Sequence, residues 1–207
     1  MSVAKKGSAE VTERIRRHRA WVDAGEPETG AAQADRLVLL DASIAPIYAE
    51  GETFSSARIV RCDLSGSSFI GCDFSSALLI GSTLRNCKFI SCEFRKAELT
   101  SADGMGANFS GSGMTRVDFS HADLRCANLT NCDMGWCWLI DTDLRFAVLE
   151  HVNLDGARLS GTKLYNTRRF SFGRLDRTLV KDVLVDENAE GPPRSGLDAL
   201  AFLQRID

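Results

Sequence analysis

The sequence lacks the features that would place it in most functional classes. No apolar run among its 207 residues is long enough to span a bilayer, and residues 1–6 are not followed by the apolar core of a secretory signal. Acidic and basic residues number 28 and 25, a near balance that favours neither nucleic acid nor an anionic membrane as partner. We therefore expect a cytoplasmic protein that binds neither membrane nor nucleic acid directly.

Motifs for catalysis and for cofactor binding are also scarce. The three histidines, His18, His121 and His151, lie far apart in the sequence and belong to no nucleophile or metal motif. No glycine-rich loop follows a strand into a helix, as a phosphate site of that kind would require. The sequence predicts a protein that is not an enzyme and that holds no metal or cofactor.

What the sequence does contain is a repeat of five residues. From Phe54 to Leu164, every fifth residue is Leu, Phe, Ile or Met, with one exception at Gly104. Two positions before each of these lies a smaller residue, mostly Ala, Cys, Ser or Thr. A period of five fits neither a helix nor a flat strand, so it indicates an internal repeat. We expect Met105 to fold inward and fill the position that Gly104 leaves empty.

The repeat defines the fold class. Within one quintet the small and the large residue are two positions apart, so on extended backbone both point to the same side. The remaining positions are polar or Gly, which suits solvent and turns. Such units close into a coil around their own core, and successive coils pair at about 4.8 Å. The sequence thus predicts an all-β solenoid that starts near Leu37, with the repeated Asp residues as hydrogen-bond acceptors in its turns.

The cysteines follow the same register. Six of the seven occupy the small inward position, where we expect them to pack as small buried side chains. The five-residue spacing within 87/92 and within 132/137 differs from the two-residue separation of a zinc site, although a metal or disulfide role is the alternative. The six are Cys62, Cys72, Cys87, Cys92, Cys132 and Cys137.

Quintets such as those at residues 107–110 (Ala-Asn-Phe-Ser) and 122–125 (Ala-Asp-Leu-Arg) resemble the pentapeptide-repeat family. The resemblance covers more than half of the chain. It implies a right-handed, quadrilateral β-helix with four quintets per coil, and a C-terminal segment that can join two rods into a homodimer. Some members of the family are acidic dimeric rods that imitate duplex DNA and bind DNA gyrase, which they protect from quinolones.

The termini differ from the repeat and divide the chain into three parts. Residues 1–36 are predicted to contain a basic amphipathic helix over 9–24, which either caps the first coil or grips an anionic partner. Residues 37–167 form the pentapeptide-repeat β-helix. Residues 168–207 are predicted to contain a strand over 179–185, a polar linker and a short helix over 197–206. So short a helix must dock on its own rod or on a second copy of the chain.

Large apolar side chains also occupy outward positions. With four quintets per coil, residues 20 apart stack, so one wall carries Val60 and Ile80 and also Trp138 and Ile140. The opposite wall carries a further stacked pair, both isoleucines. Contiguous apolar side chains on a surface indicate that something covers them, either the chain's own termini or a dimer or protein partner with tryptophan anchors. The candidate interaction residues are Val60, Ile70, Ile80, Ile90, Trp136, Trp138, Ile140 and Phe146.

Two functions fit these features. The first is a non-catalytic scaffold for protein–protein interaction whose partner is unknown. The second, implied by the resemblance, is a DNA mimic that binds DNA gyrase. Imitation of DNA requires dense negative charge, whereas residues 52–166 contain 13 acidic and 11 basic residues. A continuous negative wall along the rod would favour the second function.

Overall fold

The computed structural model of the chain describes residues 5–6, 8–26, 35–44, 46–168, 172–174, 177–184 and 194–195. These residues form a β-solenoid of about seven turns with one helix at its N-terminal end, which confirms the predicted fold class. In chain order the elements are β1 (Lys5–Lys6), α1 (Ser8–Asp23), β2 (Val38–Leu40), β3 (Ser43–Ile44), β4 (Tyr48–Glu50), β5 (Arg58–Val60), β6 (Ser68–Ile70), β7 (Lys88–Ile90), β8 (Val152–Asn153), β9 (Arg158–Ser160), β10 (Phe172–Arg174) and β11 (Leu179–Lys181).

Successive coils pair in parallel at an interval of 20 residues. Strand β2 pairs with β5, and β4 pairs with β6, which in turn pairs with β7. Single bridges continue the same interval along the rod, for example from Asp118 to Trp138. The interval equals four quintets, so each coil has four walls. The backbone amides and carbonyls of each wall therefore bond to the coils above and below rather than to solvent.

The large side chains of the repeat fill the interior of the rod. Every Leu, Phe, Ile and Met of the series is at most 3 % exposed. In the N-terminal half the rings stack directly on one another from coil to coil, as Phe54 does on Phe74 with centroids 4.6 Å apart and Phe69 does on Phe89 at 5.1 Å. The inward direction predicted for these positions is thus confirmed.

The gap at Gly104 is filled in another way than predicted. Met105 is only partly buried. Instead, Leu124 of the next coil reaches into the space, since a Cβ at Gly104 would lie 2.9 Å from its Cδ2 atom. A side chain already directed inward moves into a neighbouring gap more easily than an outward one, which would have to cross the backbone.

Small polar side chains in the inward position bond to the coil before them. The Ser82 hydroxyl accepts a hydrogen bond from the Cys62 amide at 3.0 Å and donates one to the Ile59 carbonyl at 2.8 Å. Thiols occupy the same place, as Cys137 Sγ does 2.8 Å from the Met114 carbonyl. All seven cysteines are free thiols, and the six in the inward position are buried. Burial raises the pKa of Cys87 to about 11, which fits an inert packing role.

The corners of the coil impose a backbone conformation that glycine adopts most easily. Every fifth residue from Ser56 to Asn166 has a φ between +52° and +73°. Most of these residues are not glycine, although left-handed φ is unfavourable for other residues. The turn Asp residues act as predicted: Asp73 Oδ1, for example, accepts a hydrogen bond from the Ser75 amide at 2.8 Å.

Helix α1 covers the open end of the first coil. The buried apolar residues of this helix are Val11, Ile15 and Trp21. His18 is also buried, and its Nδ1 accepts a hydrogen bond from the Leu37 amide at 3.1 Å. Strand β1 pairs with β3 and adds a further row to that end. The position of the helix agrees with the capping interpretation.

The arginines of α1 contact the chain itself. Arg14 donates to the Val38 carbonyl. Arg16 pairs with Glu13 at 2.8 Å, and Arg19 pairs with Glu52 at 3.3 Å. These contacts account for three arginines of the helix without an anionic partner.

At the other end the solenoid continues where the sequence repeat fades. Strand β10 pairs with β8, and β11 pairs with β9, so that Leu179 lies next to Arg158. The interval is 20 residues at the pair Phe172–Val152 but 21 at Arg174–Asn153 and along β11, because one additional residue is inserted between Phe172 and Arg174. The predicted strand over 179–185 corresponds to β11, whereas the predicted linker and the helix over 197–206 lie outside the described residues, apart from 194 and 195. Among the described residues, none belongs to a helix long and apolar enough to cross a membrane.

Candidate interaction surface

Two tryptophans mark a shallow cleft at one corner of the rod. Two columns of residues, one per coil, line this cleft of about 490 Å³. We call these residues the tryptophan surface. The corner column contains Lys96, Arg116, Trp136, Gly156 and Arg177, and the adjoining wall column contains Glu98, Asp118, Trp138, Arg158 and Leu179.

Trp136 is held in place by the next two coils. It lies at a corner position with a φ of +61°. Its ring covers Gly156, where an added Cβ would lie only 2.6 Å from the indole. The guanidinium of Arg177 lies over the same ring, 4.8 Å from its centroid, and also bonds to the carboxylate of Asp155. Trp136 is nevertheless 45 % exposed.

Trp138 projects from the flat wall beside this corner. Its backbone is fixed by bridges to Asp118 on one side and Arg158 on the other. Its side chain is 44 % exposed, and Ile140, two residues further along the same wall, is partly buried. A large aromatic side chain on a rigid backbone is thereby presented to solvent.

The cleft is surrounded by more positive than negative charge. Lys96, Arg116 and Arg158 are exposed, and none of them forms an ion pair within 4.0 Å with another described residue. The two acids of the cleft, Glu98 and Asp118, both belong to the wall column. The corner column therefore has no negative charge of its own.

The other candidate residues are not part of this cleft. Val60 and Ile80 lie on the same wall, but the polar residues Thr100 and Ser120 separate them from Ile140. Both are partly buried. Val60 pairs with Leu40, which is exposed and was not among the predicted candidates.

The remaining candidates lie on other sides of the rod. Ile70 and Ile90 pair in β6 and β7 on the opposite wall, which also carries the exposed Tyr48 opposite Ser68. Phe146 is 41 % exposed at a corner half a coil away from Trp136. Of the eight candidates, Trp136 and Trp138 line the cleft, and Ile140 follows on the same wall without lining it.

Of the ten residues of the tryptophan surface, only Trp136 and Trp138 were predicted candidates, and two of the others lie beyond Asn166. Leu179 is 61 % exposed at the end of the wall column, and Arg177 lies on the ring of Trp136. A register that allowed one inserted residue after Asn166 would have placed both of them on this surface. A strict interval of 20 residues places the neighbouring residues there instead.

A column of Asp residues follows another wall, and each member from residue 103 onward has an arginine partner. The ion pairs bring nitrogen and oxygen within 2.6 Å of each other. The positive charges lie on the same wall as the negative ones, so this wall is not continuously negative. The pairs are Arg85–Asp103, Arg125–Asp123 and Arg145–Asp143.

Fold and surface together define a solenoid repeat protein with rigid, flat walls. The family model described as pentapeptide repeats matches it in eight copies, over residues 53–86, 67–103, 82–120, 105–139 and 132–168. These matches cover more than half of the sequence, and the chain belongs to the pentapeptide-repeat family.

Solved structures of this family are similar to the chain at the level of the fold. HetL, a pentapeptide repeat protein involved in heterocyst differentiation regulation from the cyanobacterium Nostoc sp. strain PCC 7120, is 21 % identical over 72 % of this chain and 74 % of its own, with a TM-score of 0.37. A trypsin-treated variant of QnrB1, a plasmid-mediated fluoroquinolone resistance protein, is 21 % identical over 74 % and 91 %, also with a TM-score of 0.37. A pentapeptide repeat protein from the thylakoid lumen of Arabidopsis thaliana is 20 % identical over 57 % and 65 %, with a TM-score of 0.29. Among curated proteins, none matches the sequence significantly.

Proposed function

We propose that the protein is a non-catalytic scaffold that binds a protein partner through the tryptophan surface. The observation that carries this proposal is the exposure of Trp136 and Trp138 side by side, at 45 % and 44 %, on one rigid cleft. Tryptophans are the side chains most often found at the energetic centre of protein interfaces, because they bury a large apolar area and lose few rotamers.

The rigidity of the rod supports the same function. Each coil is hydrogen-bonded to the coils before and after it, and the Trp136 ring is fixed between Gly156 and Arg177. A surface that is already ordered loses little conformational entropy on binding, so more of the contact energy is available for affinity.

The test compares the partners recovered from cells by the wild-type protein, by a Trp136→Ala/Trp138→Ala variant and by a Phe146→Ala control. Phe146 matches Trp136 closely, since it too is an exposed aromatic residue at a corner, with the same φ of +61°. We expect quantitative cross-linking to show specific partners for wild type and control, and their loss in the double variant. Equal recovery by all three folded proteins would refute the proposal.

Imitation of DNA toward DNA gyrase is the alternative, and the charge distribution supports it less well. The column of Asp residues alternates with its arginine partners at 2.6 Å, so it does not present the unbroken negative charge of a duplex. We expect the protein to leave gyrase supercoiling unchanged, both with and without a quinolone. Protection of supercoiling from the quinolone would favour the alternative.

A further inference from the structure

We propose that the segment bound by the tryptophan surface is an acidic amphipathic helix of the partner protein. This inference rests on the proposed function and specifies the chemistry of the partner. It follows from the spacing of the coils and from the distribution of charge around the two tryptophans.

The spacing of the coils favours a helix over an extended segment. The corner column presents one side chain per coil, at intervals of about 4.8 Å. A helix parallel to the rod advances about 5.4 Å per turn, so its residues at i, i+4 and i+7 meet successive coils with a mismatch of roughly 1 Å over three coils. An extended segment repeats a given face only every 6.4 to 6.8 Å or so, and is out of register after one coil.

The apolar part of the surface fits the apolar face of such a helix. Trp136, Trp138 and Leu179 span three coils and are the exposed apolar side chains of the cleft. Large aliphatic or aromatic residues two turns apart on the partner, at i and i+7, would contact the tryptophans on one coil and Leu179 two coils further on. The separation of the coils matches the separation of those turns.

The charges select an acidic partner. On the N-terminal side of Trp136, the corner column carries Lys96 and Arg116, and Arg158 lies on the other side of Trp138. These three cations are exposed and form no ion pair with a described residue. Carboxylates that flank the apolar residues of the helix would pair with them, whereas a basic helix would meet repulsion. Glu98 and Asp118 lie in the wall column, and these two carboxylates are outnumbered by the three cations.

The test measures binding of three labelled synthetic peptides to the full chain by fluorescence anisotropy. The first peptide is a helix with leucines on one face and glutamates beside them, the second replaces the glutamates by lysines, and the third has the first composition in a permuted order. We expect the acidic helix to bind at least about tenfold more tightly than the other two. Equal binding of the lysine peptide or of the permuted peptide would overturn the proposal.

Charge-reversal variants connect the peptide result to the surface. We expect Lys96→Glu/Arg116→Glu to weaken binding of the acidic helix at least about tenfold. The control Lys88→Glu/Lys163→Glu changes the net charge equally on other walls and should stay within about twofold of wild type. Equal effects of both variants would overturn the proposal.

The same variants separate this inference from the proposed function. If Trp136→Ala/Trp138→Ala loses the cellular partner but Lys96→Glu/Arg116→Glu retains it, the surface is an interface and the acidic helix is wrong. If both variants retain the partner, both proposals fail. A concentration-dependent dimer in sedimentation that Trp138→Ala abolishes would identify a second copy of the chain as the occupant, and would also overturn the inference.

Discussion

Replacement of Phe89 by Ala tests whether the stacked interior holds the rod together. Phe89 is fully buried, and its ring contacts four others, with centroids 5.1 to 5.6 Å apart. Two of these contacts, with Phe69 and Phe109, are parallel stacks between neighbouring coils. The other two, with Phe74 and Phe94, are edge-to-face contacts between adjacent walls.

The expected loss is a large share of the stability of the protein. Truncation of a buried phenylalanine to alanine costs about 3–5 kcal/mol, since the surrounding structure collapses only partly into the cavity. A domain is stabilised by only about 5–15 kcal/mol in total. Each coil contacts only its neighbours, so the damaged coil also weakens the coupling between the two halves of the rod.

Urea unfolding followed by far-UV circular dichroism measures this loss. We expect Phe89→Ala to lower the free energy of unfolding by about 3–5 kcal/mol and to broaden the transition. Phe89→Leu is the matched control, because leucine fills the same repeat position in later coils such as Leu129. It should cost roughly 1 kcal/mol. If alanine costs as little as leucine, the stacked rings do not provide the stability that we assign to them.

Three further substitutions test the inward position, the corner and the cap. Ser82→Ala should lower the free energy of unfolding by about 1–3 kcal/mol and speed hydrogen exchange of the Cys62 amide, because this amide loses its acceptor. An unchanged exchange rate of this amide would contradict the prediction. Ser76→Gly should raise the melting temperature or leave it unchanged, because the φ of +57° suits glycine, and a clear decrease would count against the strain that we assign to the corners. Burial lowers the pKa of His18, so the docking of α1 should be stable above pH 6.5 and weaken as the pH falls below it, when the undocked histidine takes up a proton. Limited proteolysis of α1 at several pH values checks this, and His18→Asn, which retains an acceptor for the Leu37 amide, should abolish the pH dependence.

The interior and the turns could be predicted from the sequence because they are local properties of a quintet. Two residues two positions apart on extended backbone share a side whatever the rest of the chain does. The inward direction of Phe89 and the turn contact of Asp73 therefore follow from their places in the repeat. The packing of cysteines as small buried residues follows in the same way.

The candidate site could be predicted only in part. The outward direction of Trp136 and Trp138 is local, and both side chains line the same cleft. Whether outward side chains are contiguous depends on the residues between them. Val60 and Ile80 are separate from the cleft because the polar residues of the intervening coils lie between. The exposed fraction of each side chain depends on the neighbouring coils, and no quintet encodes it.

The five-residue period was enough to predict that this chain winds into a solenoid and which side chains face its interior, since the period acts through the geometry of each short strand and turn. The positions of Arg177 and Leu179 required the wound chain, because one inserted residue shifts the last coil to an interval of 21 and conceals its register from the repeat. The wound chain also brings Arg85 to Asp103 and lets Leu124 fill the gap at Gly104. Such contacts join residues on different coils, and their strength depends on distances that only the wound chain sets.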